Sequence, residues 1–147
     1  ERGLQPQQLL VTPTPFNTVL WRVVAITPDA FHEGFYSLLD PAPRIHFDSF
    51  ARNDDLYRSL QGQWHADRIA WFTRGFYKMD ELNGVLRITD LRMGQEPTYT
   101  FSFDVAQRQG ATLQAVPPRL VGRRPDIDRA LLWVWQRARG ELIAPPR

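Results

Sequence analysis

The dipeptide Asn83-Gly84 constrains this chain more than any other feature. The pair suits a two-residue type I′ turn, in which both central residues take positive φ, and it lies between two strand-like runs. Such a turn fixes register, so Leu82 faces Val85, Met79 faces Ile88 and Tyr77 faces Asp90. A second turn, GQEP at Gly94–Pro97, sets Arg92 against Tyr99, Asp90 against Phe101, Ile88 against Phe103 and Arg87 against Asp104. The returning strand alternates strictly. Tyr99, Phe101, Phe103 and Val105 share one face, while Thr98, Thr100, Ser102 and Asp104 share the other. A fourth strand is expected from Thr112, ended by Pro117 and Pro118.

This register predicts a solvated charge ladder of Asp80, Arg87 and Asp104 on one face of the meander. Met79, Leu86, Ile88, Phe101, Phe103 and Val105 lie on the other, where helices should cover them. Upstream, Pro13 and Pro15 favour an extended entry, and VLWRVVAIT and FHEGFYSLL form a hairpin around Pro28. That hairpin places Trp21 opposite Tyr36 and Val23 opposite Gly34. Asn53 or Asp54 can cap a short helix through Leu60. A second helix spans His65 to Arg74, stops at Gly75 and carries Ile69 and Phe72 inward, with Trp71 as a third candidate. A third starts at an Asp126 cap, with Ile127, Ala130, Leu131 and Val134 at helical spacing. Trp133 and Trp135 cannot both enter the core from one helix, so one of them faces solvent or a partner. The tail ELIAPPR reads as frayed.

The expected fold class is therefore α+β. It comprises a hairpin plus a three- to four-stranded antiparallel meander, with two to three helices packed on one face. A length of 147 residues fits a single soluble domain over 1–147. Without cysteine there is no disulfide framework and no thiolate metal site. A net charge of +2 is too balanced for nucleic acid as a partner. No apolar run approaches the ~20 residues of a membrane span.

Asp90 and Arg92 stand where apolar residues are expected on the covered face. A buried carboxylate needs partners, and Arg92, Arg74 and the hydroxyls of Tyr77 or Tyr99 are within reach. Three readings stay open. The first is a structural network fixing helix to sheet. The second is a ligand-binding pocket lined by Arg74, Asp90, Arg92, Tyr99 and Trp71, whose guanidinium forks suit a small anionic or lipid-like ligand. The third is an acid–base role for Asp90. No catalytic set is recognisable. The histidines His32, His46 and His65 lack zinc-ligand spacing, although His46 and Asp48 could share one side of a strand. There is no GxSxG elbow and no phosphate loop.

Four segments considered together, LLVTPTPFNTVLWRVVA, EGFYSLLD, IAWFTRGFY and VLRITDLRMGQEPTYTFSF, resemble the C-terminal region of a bacterial inner-membrane family, the YdjM/YbcI-type membrane-bound metal-dependent hydrolases. The likeness runs from about Leu9 to Ala106 and weakens after Gly110. It implies a parent protein whose divalent metal, zinc, is held by His- and Asp-containing motifs among N-terminal membrane helices. None of those motifs occurs in these residues, so no metal ligand and no cofactor carries over to this chain. With Glu1 in place of Met, the expectation is a fragment C-terminal to such spans. Its implied partner is the membrane-embedded part of the same protein. An odd number of spans, with the N-terminus inside, would put it in the periplasm; otherwise it is cytoplasmic.

Overall fold

The computed structural model describes residues 5–123 and 125–147. The fold is α+β, and the chain divides into two compact units. One is Glu1–Phe50 with Pro125–Arg147, and the other is Ala51–Arg124.

The first unit holds a sheet in the order β1 (Gln8–Pro13), β2 (Leu20–Ile26), β3 (Ala30–Ser37), β4 (Phe47–Ala51). Trp21 pairs with Tyr36 and Val23 with Gly34, the register that the turn at Pro28 predicts. Gly34 is there for lack of room. A Cβ would lie 2.5 Å from the Ile45 side chain and 2.8 Å from the His46 carbonyl oxygen. The extended entry is a true edge strand, with Leu9 paired to Ala25 and Val11 to Val23.

Helix α3 (Ile127–Ala138) begins at Asp126, whose side chain accepts from the Arg129 N–H at 3.2 Å. Its buried face is only in part the one expected, since Val134 packs against Leu20 and Phe35 while the rest is rotated. Trp133 and Arg137 are buried, while Ile127 is 63% and Leu131 43% exposed. Two contacts set this rotation. Trp133 packs edge-on to Phe35 at 4.7 Å. Arg137, one turn later, donates to the Phe35 carbonyl at 3.1 Å and to both oxygens of Asp40. Trp135 is the tryptophan left outside, 64% exposed. The tail is not frayed. The Trp133 Nε1–H donates to the Ile143 carbonyl at 3.4 Å, and Arg147 bonds Glu33 at 3.2 Å and Asp48 at 2.5 Å.

The second unit starts with α1 (Asp54–Arg58) and α2 (Trp64–Phe72). The strands β5 (Tyr77–Leu82), β6 (Val85–Asp90), β9 (Ser102–Gln109) and β10 (Thr112–Leu120) then build a sheet in the order β10-β9-β6-β5. Between them lies a small ribbon of β7 (Gly94–Gln95) and β8 (Thr98–Tyr99). Asn83 and Gly84 take φ of 52° and 75°, and Tyr77 pairs with Asp90 as the turn dictates. Ile88 pairs with Phe103 and Arg87 with Asp104.

The hairpin tip departs from expectation. Gly94, not Arg92, faces Tyr99. Gly94 takes a φ of 126°, and a Cβ there would sit 2.4 Å from the Thr98 carbonyl oxygen. Only glycine lets the chain close at this point. Strand β10 is not ended by its prolines. Pro117 and Pro118 fall in a register shift between Ala115 and Arg119, on an edge strand that can spare their missing donors. Asn53 does precede α1, but its side chain donates to the Met79 carbonyl at 2.7 Å instead of capping the helix.

Helices α1 and α2 cover one face of this sheet. Leu60, Ala66 and Ala70 pack with Tyr77, Met79, Leu86, Ile88, Val105 and Ala106. Phe101 lies just outside β9 and is 37% exposed, instead of joining that core. The charged face is also drier than a solvated ladder would be. Asp104 is buried between Arg87 at 2.8 Å and Arg119 at 3.2 Å, and Thr89 bonds Ser102 at 3.0 Å.

Candidate functional site

Asp90 ends β6 on the helix-covered face and is 1% exposed. Arg92 claims both of its oxygens. Nε donates to Oδ1 at 3.0 Å, Nη2 to Oδ2 at 2.7 Å, and the Arg92 backbone N–H to Oδ1 at 2.9 Å. A fork of this kind is worth roughly twice a neutral hydrogen bond. The hydrogen bond to Asp90 raises the Arg92 pKa above its ordinary value. The guanidinium carbon lies 4.8 Å above the Phe72 ring, at the end of α2. Asp90 and Arg92 thus clamp the end of the sheet to the end of the helix.

The other residues of the expected pocket lie elsewhere. The Tyr77 hydroxyl donates to Asp54 at 2.7 Å, and burial pushes its pKa up. Arg74 is exposed, in a left-handed turn with φ 54°. Successive residues of a strand point to opposite faces. Tyr99 belongs with Thr89, Lys78 and Glu96, around a cavity of about 170 Å³ that Asp90, Arg92, Arg74 and Trp71 do not line. In that cavity Lys78 is held by Glu96 at 2.9 Å and by Asp80 at 3.3 Å. The volume is below the ~300 Å³ at which small-molecule pockets usually begin.

Trp71 points outward, and with it a whole face of α2. Trp64, Trp71 and Phe72 are 68%, 71% and 61% exposed. Together with Arg68 they occupy positions i, i+4, i+7 and i+8, one side of a helix. Arg68 spans the two indoles, its guanidinium carbon 6.0 Å from the Trp64 ring and 5.4 Å from the Trp71 ring. Arg92 does the same for Phe72.

The inward side of the helix carries Ala66 and Ala70. Ile69 packs partly buried against the same core, as expected, so the helix buries its alanines and one isoleucine and leaves its large aromatic side chains outside. The alanines let α2 sit close on the sheet and leave no space for an indole. At roughly 150–250 Å² per aromatic side chain, the exposed part amounts to about 300–500 Å². That is at the upper end of the apolar patches that monomers leave open.

The histidines stay apart. His32 bonds Thr27 at 3.1 Å and Ser49 at 2.7 Å, and His65 packs edge-on to Trp64. His46 is exposed just before β4, where Asp48 is engaged by Arg147. Among the described residues no three His, Asp or Glu side chains gather as metal ligands, and no helix is long and apolar enough to cross a membrane.

The sequence holds the signal for the α2 face, the spacing Trp64-Arg68-Trp71-Phe72. An apolar stripe is normally taken as the buried side, and the two alanines opposite it were the discriminating clue. No protein-family model, curated protein or solved structure matches this chain.

Proposed function

We propose that this chain is a non-catalytic binding domain, the extramembrane accessory domain of a larger membrane-bound metal-dependent hydrolase. In this reading the metal and the bond-breaking chemistry reside in a membrane-embedded part of the same protein, in a bacterial inner membrane. The domain faces the periplasm and acts by contact. The family assignment rests on the sequence resemblance alone.

One observation carries the binding role. The α2 face presents three large aromatic side chains to solvent with arginines stacked on them, whereas the carboxylate best placed for chemistry, Asp90, is locked by Arg92. Aromatic and arginine side chains dominate contact energetics at interfaces. An independent module for a small anion is the second reading. The cavity beside Lys78, Arg87 and Arg123 favours it, although Glu96, Asp80 and Asp104 already engage the first two of these cations.

The test is an assay of the purified chain on ester and phosphodiester substrates with zinc, manganese or magnesium added. The reading predicts no turnover that depends on Asp90 or His46. Turnover abolished in Asp90→Asn or His46→Ala, in variants that fold, would overturn it.

A further inference from the structure

We propose that Ser49 is a nucleophilic serine, a covalent acylation site at which His32 acts as base and Thr27 orients the imidazole. The acyl donor it takes is an uncharged, activated carboxylic ester. The inference goes beyond the binding-domain reading and does not rest on it, since the uptake of one acyl group per chain involves no turnover.

The hydrogen bonds fix where each proton lies. Ser49 is 17 residues from His32 in sequence, but the neighbouring strands β3 and β4 bring its Oγ within 2.7 Å of the His32 Nδ1. On the other side of the ring, Nε2 lies 3.1 Å from the Thr27 Oγ1. That hydroxyl donates its own proton to the Ala30 carbonyl at 3.1 Å. A carbonyl only accepts, so the Thr27 oxygen accepts from the His32 Nε2–H. The imidazole is then the Nε2–H tautomer with a lone pair on Nδ1, and the Ser49 O–H donates to that lone pair. This is the polarity of a nucleophile, its base and an orienting group. Burial holds the His32 pKa below its ordinary value, which keeps the ring neutral at pH 7. Ser49 is exposed and His32 is half-buried, so the nucleophile is open to a reagent while its base is sheltered.

The residues across the sheet select the donor. Leu9 pairs with Ala25 and Ala25 with His32, so their side chains and that of Ser49 share one face. The adjoining row is Val11, Val23 and Gly34. Glu33 and Asp48, the charged neighbours in sequence, alternate to the opposite face, where Arg147 bonds both. Along these rows the surface at Ser49 is aliphatic and uncharged. It suits an acyl chain better than a phosphoryl group, whose transfer needs cations at the site. In the step, Oγ forms a bond to the acyl carbon and the ester C–O bond breaks. The Ser49 proton passes to the His32 Nδ1 and from there to the leaving oxygen, while Nε2–H stays on Thr27.

The experiment treats the full chain with p-nitrophenyl acetate at neutral pH and follows acetylation of each serine by peptide mass spectrometry. Ser59 is the internal reference, since it is also exposed and its hydroxyl donates to the Leu56 carbonyl instead of an imidazole. Help from a positioned base is on the order of 10²–10⁴-fold, so Ser49 should acquire its acetyl group at least about tenfold faster than Ser59. His32→Gln keeps a hydrogen-bonding side chain without the base, and should bring Ser49 to about the rate of Ser59. Thr27→Val should slow labelling of Ser49, and Thr27→Ser should restore it. Circular dichroism checks that each variant folds, and the comparison of Ser49 with Ser59 in the unaltered chain needs no variant. Equal rates at the two serines, or a preference for Ser49 that survives His32→Gln in a folded protein, would overturn the assignment and leave a structural hydrogen bond between strands. Turnover that depends on Asp90 or His46 would overturn the binding-domain reading and leave this labelling unchanged.

Discussion

Asp90 loses its hydration on folding and recovers it as four hydrogen bonds from a single residue, Arg92. That arrangement makes the pair sensitive to the loss of either member. Removing Arg92 leaves a carboxylate in a dry site, so Arg92→Ala should destabilise the protein by about 3 kcal/mol. Asp90→Ala should cost a similar amount. The double variant should cost clearly less than the sum, because neither charge is then stranded. Urea denaturation of the four proteins measures this cycle. Single-variant losses below ~0.5 kcal/mol would mean that the pair is not structural. Asp90 was legible as a buried carboxylate because the Asn83-Gly84 turn placed it opposite Tyr77, on the covered face. Its companions were not, because proximity in register says nothing about where Arg74 or Tyr99 turns. Tyr99 moved because its partner at the hairpin tip is Gly94, two residues beyond the Arg92 that the register from Asp90 implied.

At the scale of elements, strands with a tight turn were readable to the residue, and helix faces were not. A two-residue turn leaves one register, so the β2–β3 and β5–β6 pairings followed directly. A helix face is decided by what it meets. For α3 the deciding partner is Asp40, on the turn after β3, which draws Arg137 inward. Hydrogen bonds from Arg137, helped by one from the Ser37 N–H, hold the Asp40 carboxyl below its ordinary value. A depressed native pKa means that the unfolded chain takes up the proton first. The stabilisation is complete above about pH 5 and fades as pH falls through the native value. Wild-type protein should exceed Asp40→Asn in stability at neutral pH, and the gap should close between about pH 5 and pH 2. Thermal unfolding across that range checks the sign. A gap that is constant with pH would contradict the role given to Asp40.

For the whole molecule, the informative feature is a helix that leaves three large aromatic side chains outside. Each large aliphatic or aromatic side chain left exposed forgoes roughly 1.5–3 kcal/mol of burial. Three of them on α2, stacked with arginines, are a poor choice for stability alone and a good one for contact. Sequence reasoning took Phe72 for core and Trp71 as a candidate, since the rule that apolar stripes face inward carries no information about small residues opposite them; Ile69 alone of the three packs inward. The measurement that tests the central claim most directly is acrylamide quenching of tryptophan fluorescence, with the α2 signal isolated by comparing the full chain with its Trp64→Phe and Trp71→Phe variants. The account predicts that Trp64 and Trp71 are quenched far more readily than Trp133, which is buried against Phe35. Equal protection of the α2 tryptophans and Trp133 would contradict it.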